Sequence, residues 1–148
     1  IAPIVNARGP LFVHPKGLVK RTTFHVMQMY ANELGSTISP VAVTSSNLPG
    51  IAENIAAVDA ITTIDPGSNE WKVALINRHP ESSASISLQF GDKNIDGEVA
   101  AIVLSGDSPD AFNDVDHPNR VAPRKIRLTI ENGMIDVPPH SLIIIAIQ

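Results

Sequence analysis

The 148-residue sequence contains no cysteine, which removes disulfides and thiolate metal sites from consideration without fixing a compartment. Aromatic residues are scarce: one Trp, one Tyr and four Phe. Sugar-binding sandwiches present several aromatic rings on one face, and this supply is too small for that, so Trp71 is read as a core residue before it is read as a stacking platform. There is no excess of positive charge. Eleven scattered Lys and Arg against fifteen Asp and Glu give a net charge of −4, and a phosphate-backbone partner needs clustered basic residues, so no nucleic-acid role is expected. Long apolar runs are missing too. The longest, residues 142–147, is far short of the roughly 20 residues that cross a bilayer, and no membrane partner is expected.

What is present is globular: 43% hydrophobic and 18% charged residues, in a length suited to one main core. The chain opens without Met on an apolar stretch, residues 1–6, that reads as a strand. A Gly/Pro loop then leads to an amphipathic helix over residues 22–34. Phe24, Met27, Tyr30 with Ala31, and Leu34 form its apolar stripe, while His25, Gln28, Asn32 and Glu33 form its polar face. Thr22 or Thr23 is placed to cap its start and Gly35 to end it in a left-handed conformation. A lone strand-loop-helix ahead of an all-β region has no parallel partners. Residues 1–35 are therefore expected to be the last βα unit of a truncated (β/α)8 barrel, and residues 36–148 a separate β-sandwich domain.

From residue 36 the period becomes two. Residues 83–90 alternate Ala84, Ile86, Leu88 and Phe90 with Ser and Gln, as a half-solvated strand does, and residues 125–130 repeat the pattern. Residues 71–77 and 99–104 are apolar on both faces and belong at the centre of a sheet; residues 41–44 and 58–64 are weaker strands. Asn132-Gly133 predicts a hairpin joining 125–130 to 134–137. The β-branched segment 141–147 is expected in the middle of a sheet. The fold class is mainly β, an antiparallel, jelly-roll-like sandwich preceded by one strand-loop-helix unit. Residues 44–56 and 109–123 are irregular; the second, rich in Asp, Asn and His117, has the length of a functional or inter-domain loop.

No constellation for catalysis stands out. His117 with Asp114 and Asp116 lacks the glycine and terminal Glu of a calcium loop, so a solvated loop is the better reading and no metal or cofactor is expected. His79 is a turn histidine, His140 orients the start of a strand, and Ser141 lacks a glycine elbow. Glycoside hydrolysis requires two carboxylates about 5 to 10 Å apart, one with a raised pKa. The six glutamates, at 33, 53, 70, 81, 98 and 131, fall at turns, strand edges or the helix's polar face, so no catalytic residue is assigned in this chain.

Several ordered stretches nevertheless carry a resemblance. Ile1-Ala-Pro-Ile with the run from Gly9 through Asn32 resembles the end of the catalytic barrel of family 51 α-L-arabinofuranosidases. Val73-Ala-Leu-Ile-Asn-Arg-His-Pro, Asp110-Ala-Phe-Asn-Asp, His117-Pro-Asn-Arg-Val and Val137-Pro-Pro-His-Ser-Leu look like that family's C-terminal sandwich in the same order. The resemblance implies a retaining, exo-acting, homo-oligomeric hydrolase of the cytoplasm that removes terminal α-L-arabinofuranosyl groups from arabinose-containing polysaccharides. Its two glutamates would lie upstream of Ile1, on a barrel that is this segment's partner. Barrel sites form at the C-terminal ends of strands, so the loop over residues 6–14 is the one segment expected near substrate, with Asn6, Arg8 and His14 as rim candidates. A structural loop is the competing reading. The 148 residues alone are expected to be inactive. The alternative class is a non-catalytic carbohydrate-binding or protein-interaction module. The helix separates the two: its apolar face docks on the barrel in the first case and is covered by the sandwich in the second.

Overall fold

The computed structural model describes residues 4–50, 54–92 and 95–148. In chain order the elements are β1 (Leu11–His14), β2 (Gly17–Lys20), α1 (Thr22–Glu33), β3 (Thr37–Ser39), β4 (Val58–Asp65), β5 (Glu70–Asn77), β6 (Ala84–Ser87), β7 (Gly97–Ser105), β8 (Arg124–Ile130), β9 (Met134–Val137) and β10 (Ser141–Ile147). A six-stranded sheet runs β3-β4-β5-β10-β7-β8, and a two-stranded sheet pairs β6 with β9. A third, separate pair is the hairpin β1-β2. Every ladder is antiparallel. The protein is thus mainly β with one helix.

Strand β10 sits between β5 and β7, and its side chains alternate between two apolar layers because successive Cβ atoms point to opposite faces. Ile143, Ile145 and Ile147 join Val73 and Leu75 of β5 and Ala101 and Val103 of β7 beneath the β6-β9 pair, where Leu88, Ile135 and Val137 close over them. Leu142 and Ile144 point the other way, with Ala74 and Leu104, and are covered by Met29 of α1 and by Val121. The large sheet is therefore covered on one face by the small sheet and on the other by the helix and the loop that carries Val121.

The opening segment differs from the strand-loop-helix expectation. Residues 1–3 of the proposed strand lie outside the described residues, and Val5 contributes only one isolated parallel bridge, to Leu11. The Gly/Pro loop contains the hairpin β1-β2, hidden from a periodicity reading because each strand has only four residues. The helix starts after Arg21, which is extended and makes no side-chain cap; neither Thr22 nor Thr23 caps it. It turns a different face inward as well. His25 and Met29 are the buried positions, with Val26, Tyr30 and Leu34 partly buried, whereas Met27, assigned to the apolar stripe, is 63% exposed. Tyr30 and Leu34 of the expected stripe keep their inward place, but the buried centre lies at His25 and Met29, and Met27 faces outward.

Two strand assignments shift. Residues 41–44 have no strand structure; β3 lies just before them and pairs with β4. The strand over 83–90 contracts to β6, after which the Leu88 amide donates to Gly133 O at 2.8 Å and Phe90 forms an isolated bridge. Asn132-Gly133 does form a tight turn, with φ of 51° and 74°, as a primed turn requires. Its flanking strands then separate: β8 joins β7 in the large sheet and β9 joins β6 in the small one, so the turn is a corner between layers. Trp71 is half-buried against the core and meets Phe90 edge-on at 5.6 Å, the core role expected of it.

Gly35 is required for closeness. A Cβ there would stand 2.8 Å from the carbonyl carbon of Ile64 and 3.0 Å from its oxygen. Its amide donates to Thr63 Oγ1 at 2.8 Å and that of Ser36 to Asp65 Oδ1 at 2.8 Å, clamping the chain onto β4 directly after the helix. Gly35→Ala is expected to push this crossing apart and to lower stability by about 1–3 kcal/mol, read as a shifted urea midpoint with unchanged slope.

Candidate functional site

The rim candidates Asn6, Arg8 and His14 lie on the loop and hairpin that precede the helix. Asn6 and Ala7 both have positive φ, at 58° and 42°, which bends the chain into a tight loop before β1. Asn6 stabilises that bend with its own side chain: the amide of Val13 donates to Asn6 Oδ1 at 2.8 Å, while the Asn6 amide donates to Leu11 O at 2.7 Å. Asn6 is therefore a loop former. Arg8 is exposed and makes no ion pair among the described residues. His14 is half-buried; its Nδ1 accepts from the Lys16 amide at 3.2 Å and its ring lies against Phe12, with centroids 5.9 Å apart.

The group that organises this loop, Arg21, was not singled out in the sequence. Its Nη1 donates to Ala7 O at 2.6 Å and Gly9 O at 3.1 Å, and its guanidinium lies 5.2 Å from the Phe12 ring centroid. Asn113 plays the same part for the long loop. Only 4% exposed, it donates from Nδ2 to Lys20 O at 2.8 Å and Val121 O at 2.7 Å, and Oδ1 accepts the Val121 amide at 2.7 Å. The 109–123 loop is thereby fastened to β2, and Lys16 and Asp116 pair across the junction at 3.2 Å. On these linked elements Val5, Val13, Leu18 and Phe112 are large apolar side chains left exposed. Short polar brackets between loops have no periodic signature, although Asn113 lies in the quoted Asp110-Ala-Phe-Asn-Asp run.

The other candidates are taken up by structure. Asp114 Oδ1 accepts the amides of His117 at 2.6 Å and Asp116 at 2.9 Å, and these bonds hold its carboxyl below the usual range. His79 Nδ1 accepts the amides of Glu81 and Ser82, closing a turn. The His140 ring bridges Pro80 O at 2.9 Å and Gly106 O at 3.2 Å, beside a crevice of about 260 Å³ between Val26 and Tyr30 of the helix and the end of the sheet. Asn77, 1% exposed and not singled out in the sequence, donates to Ser82 O and Pro138 O and accepts the His79 amide, joining the same turns. Its signal was an amide side chain closing an otherwise apolar strand.

A hydrolytic acid needs a carboxyl with a raised pKa. Every shifted carboxyl here moves down: Asp59 and Asp107 through bonds from Arg78 and Arg120, Asp65 and Asp114 through backbone amides. Glu53 lies outside the described residues, and the other five glutamates are not buried. Among the described residues no three His, Asp or Glu are arranged to hold a metal ion.

His25 is the anomaly. Among the described residues both buried ring nitrogens lack a partner within hydrogen-bond geometry, and burial first, opposed by the nearby Gln28 side chain and aided by the Lys20 charge, pulls the pKa below the ordinary value. The unfolded chain binds that proton more readily than the fold does, so stability is complete above about pH 6.5 and is lost progressively as the pH falls below it toward the lower folded pKa. Comparing unfolding midpoints of wild type and His25→Leu at pH 7.5 and 5.5 should show a larger acid loss in wild type. Equal losses would refute the assignment.

The fold and its brackets define a β-sandwich whose hairpin, helix and long loop are linked into one flank. The chain belongs to the α-L-arabinofuranosidase C-terminal domain family, whose model matches residues 1–141. Similar folds occur in the α-L-arabinofuranosidase of Thermotoga maritima solved with arabinose (20% identity, TM-score 0.83, 99% of this chain and 33% of that one) and in the family 51 enzyme of Thermotoga petrophila RKU-1 (21%, 0.83, 99% and 33%). The family 51 arabinofuranosidase of Xanthomonas axonopodis pv. citri is also similar (21%, 0.84, 100% and 30%). The chain thus spans about a third of each of these proteins. A search of curated proteins returns no match to the sequence.

Proposed function

We propose that this chain is the C-terminal accessory domain of a retaining, exo-acting α-L-arabinofuranosidase whose two glutamates reside in a (β/α)8 barrel of the same polypeptide. The observation that carries the reading is the family match over residues 1–141, joined to relatives three times as long. The downward carboxyl shifts support it, because they leave the acid/base work to another part of the protein. Residues 1–35 belong, on this reading, to the end of the barrel, and the 6–14 loop approaches the substrate rim with Arg8, a cation without an ion pair among the described residues. Homo-oligomer formation belongs to the same proposal.

The helix speaks for a second reading, an independent interaction module: its buried face rests on the sandwich, contrary to the docking on a barrel expected for a fragment. The first reading answers this with other surface. Ile4 is 68% exposed, and Val13, Leu18 and Met27 are each more than half exposed, along the opening elements where a barrel would lie.

Hydrolysis of p-nitrophenyl α-L-arabinofuranoside separates the readings. The full-length protein should turn it over, and the isolated 148 residues, checked for folding by circular dichroism, should not; turnover by the isolated segment would overturn the assignment. In the full-length protein Arg8→Ala should lower kcat/KM by about tenfold through KM without shifting the unfolding midpoint. An unchanged kcat/KM would remove Arg8 from the rim.

A further inference from the structure

The exposed edges of the two sheets are not treated alike. The large sheet ends at β8, whose exposed Arg124, Lys125 and Arg127 guard it with charge, and at β3, which has only three residues and is followed by Pro40. Soluble proteins protect edges in these ways because a bare row of amides and carbonyls pairs with any strand that reaches it. In the small sheet, β9 turns back beside β8 through the Asn132-Gly133 corner and carries Asp136. The outer edge of β6, four residues long, is guarded neither by charge nor by proline. From Ser82 to Gln89 the sequence holds no charge and no proline.

The phase of that edge follows from one bond. The Leu88 amide donates to Gly133 O, so in an antiparallel ladder the amides of Ala84 and Ile86 also face β9, while those of Ser85 and Ser87 face outward. Among the described residues the outward groups have no backbone partner. Alongside them runs a groove of about 1170 Å³. Its floor includes Ala60 of β4 and Trp71 of β5, both half-buried, and its far wall is residues 40–46, non-helical and outside any ladder, with Val41 and Val43 exposed. Among the described residues no Asp, Glu, Lys or Arg lines it. The small sheet has two strands against six, so this part of the large sheet's inner face lacks the strand that would lie above it.

We propose that the groove is the seat of one further β-strand, which pairs with the outer edge of β6 and is supplied by the rest of the same polypeptide. Its chemistry is set by the slot: an uncharged segment of about four to six residues, apolar on the side facing Ala60 and Trp71, hydrogen-bonded through its backbone to Ser85 and Ser87. That the strand comes from the same polypeptide rests on the reading of the chain as one domain of a longer enzyme; relatives of similar fold extend to three times its length. An intramolecular strand also enjoys the high effective concentration that a four-residue edge needs in order to stay occupied.

Three measurements on the full-length protein test the slot. Hydrogen exchange at the Ser85 and Ser87 amides should be at least about a hundredfold slower than in an unpaired chain. A photo-cross-linking benzoylphenylalanine in place of Val43 should capture a peptide of the same polypeptide from outside these 148 residues. Ser85→Pro, which removes an outward donor but spares the β9 ladder, should abolish that cross-link and speed exchange at Ser87 at least tenfold, while Ser85→Ala leaves both intact. Free exchange at the two amides, no cross-link, a cross-linked dimer, or a cross-link within the 148 residues would each overturn the proposal. Arabinofuranoside hydrolysis on the same sample keeps the two ideas apart: turnover without protection sinks the strand alone, and protection without turnover sinks the enzymatic reading alone.

Discussion

Strand β10 is the constraint on which the other elements depend. It is hydrogen-bonded on both edges and apolar on both faces, and it divides its isoleucines between two cores. Moving it by one residue against β5 or β7 would exchange Leu142 and Ile144 with Ile143 and Ile145 and mismatch both layers at once. Each fully buried isoleucine contributes about 1.5–3 kcal/mol relative to exposure, so the register is held by several side chains acting together. From it follow the positions of β5 and β7, then the small sheet on one side and the helix on the other.

The helix layer shows how such a core places the loops around it. Met29 seats the helix on Ala74 and Leu142, and the polar fittings come after: Arg21 gathers the carbonyls of the opening loop, and Asn113 ties the long loop to β2. These brackets use uncharged carbonyls and a buried amide, which hold geometry without demanding a buried counter-ion. His25 is the exception, a titratable ring accepted into the interface without a partner. The carboxylates around this frame are stabilised in their charged form by arginines or backbone amides.

The sandwich is lopsided for a reason visible in its edges. Charge and shortness end the large sheet, while the small sheet stops at an uncharged serine-rich strand beside an unfilled groove. That edge and the exposed apolar residues of the opening hairpin and helix are places where the described residues leave strand edge and apolar surface uncovered.

By itself the sequence determined the elements whose signal is local. Two-faced apolar runs became β5, β7 and β10, alternation became β8, Asn-Gly became a primed turn, and the ordered motifs pointed to the family. The tertiary structure decided what depends on remote partners. Which face of the helix turned inward was set by the sheet beneath it, so Met29 displaced Met27; Gly35 was required by the backbone of Ile64 rather than by a left-handed cap. The turn at Asn132-Gly133 was local, but whether its strands paired was decided by β6 and β7, which offered each a better neighbour. Asn6, Arg8 and His14 could be named from their loop, yet Arg21, Asn77 and Asn113 could not, because a bracket exists only once the carbonyls it binds have been brought together by the fold.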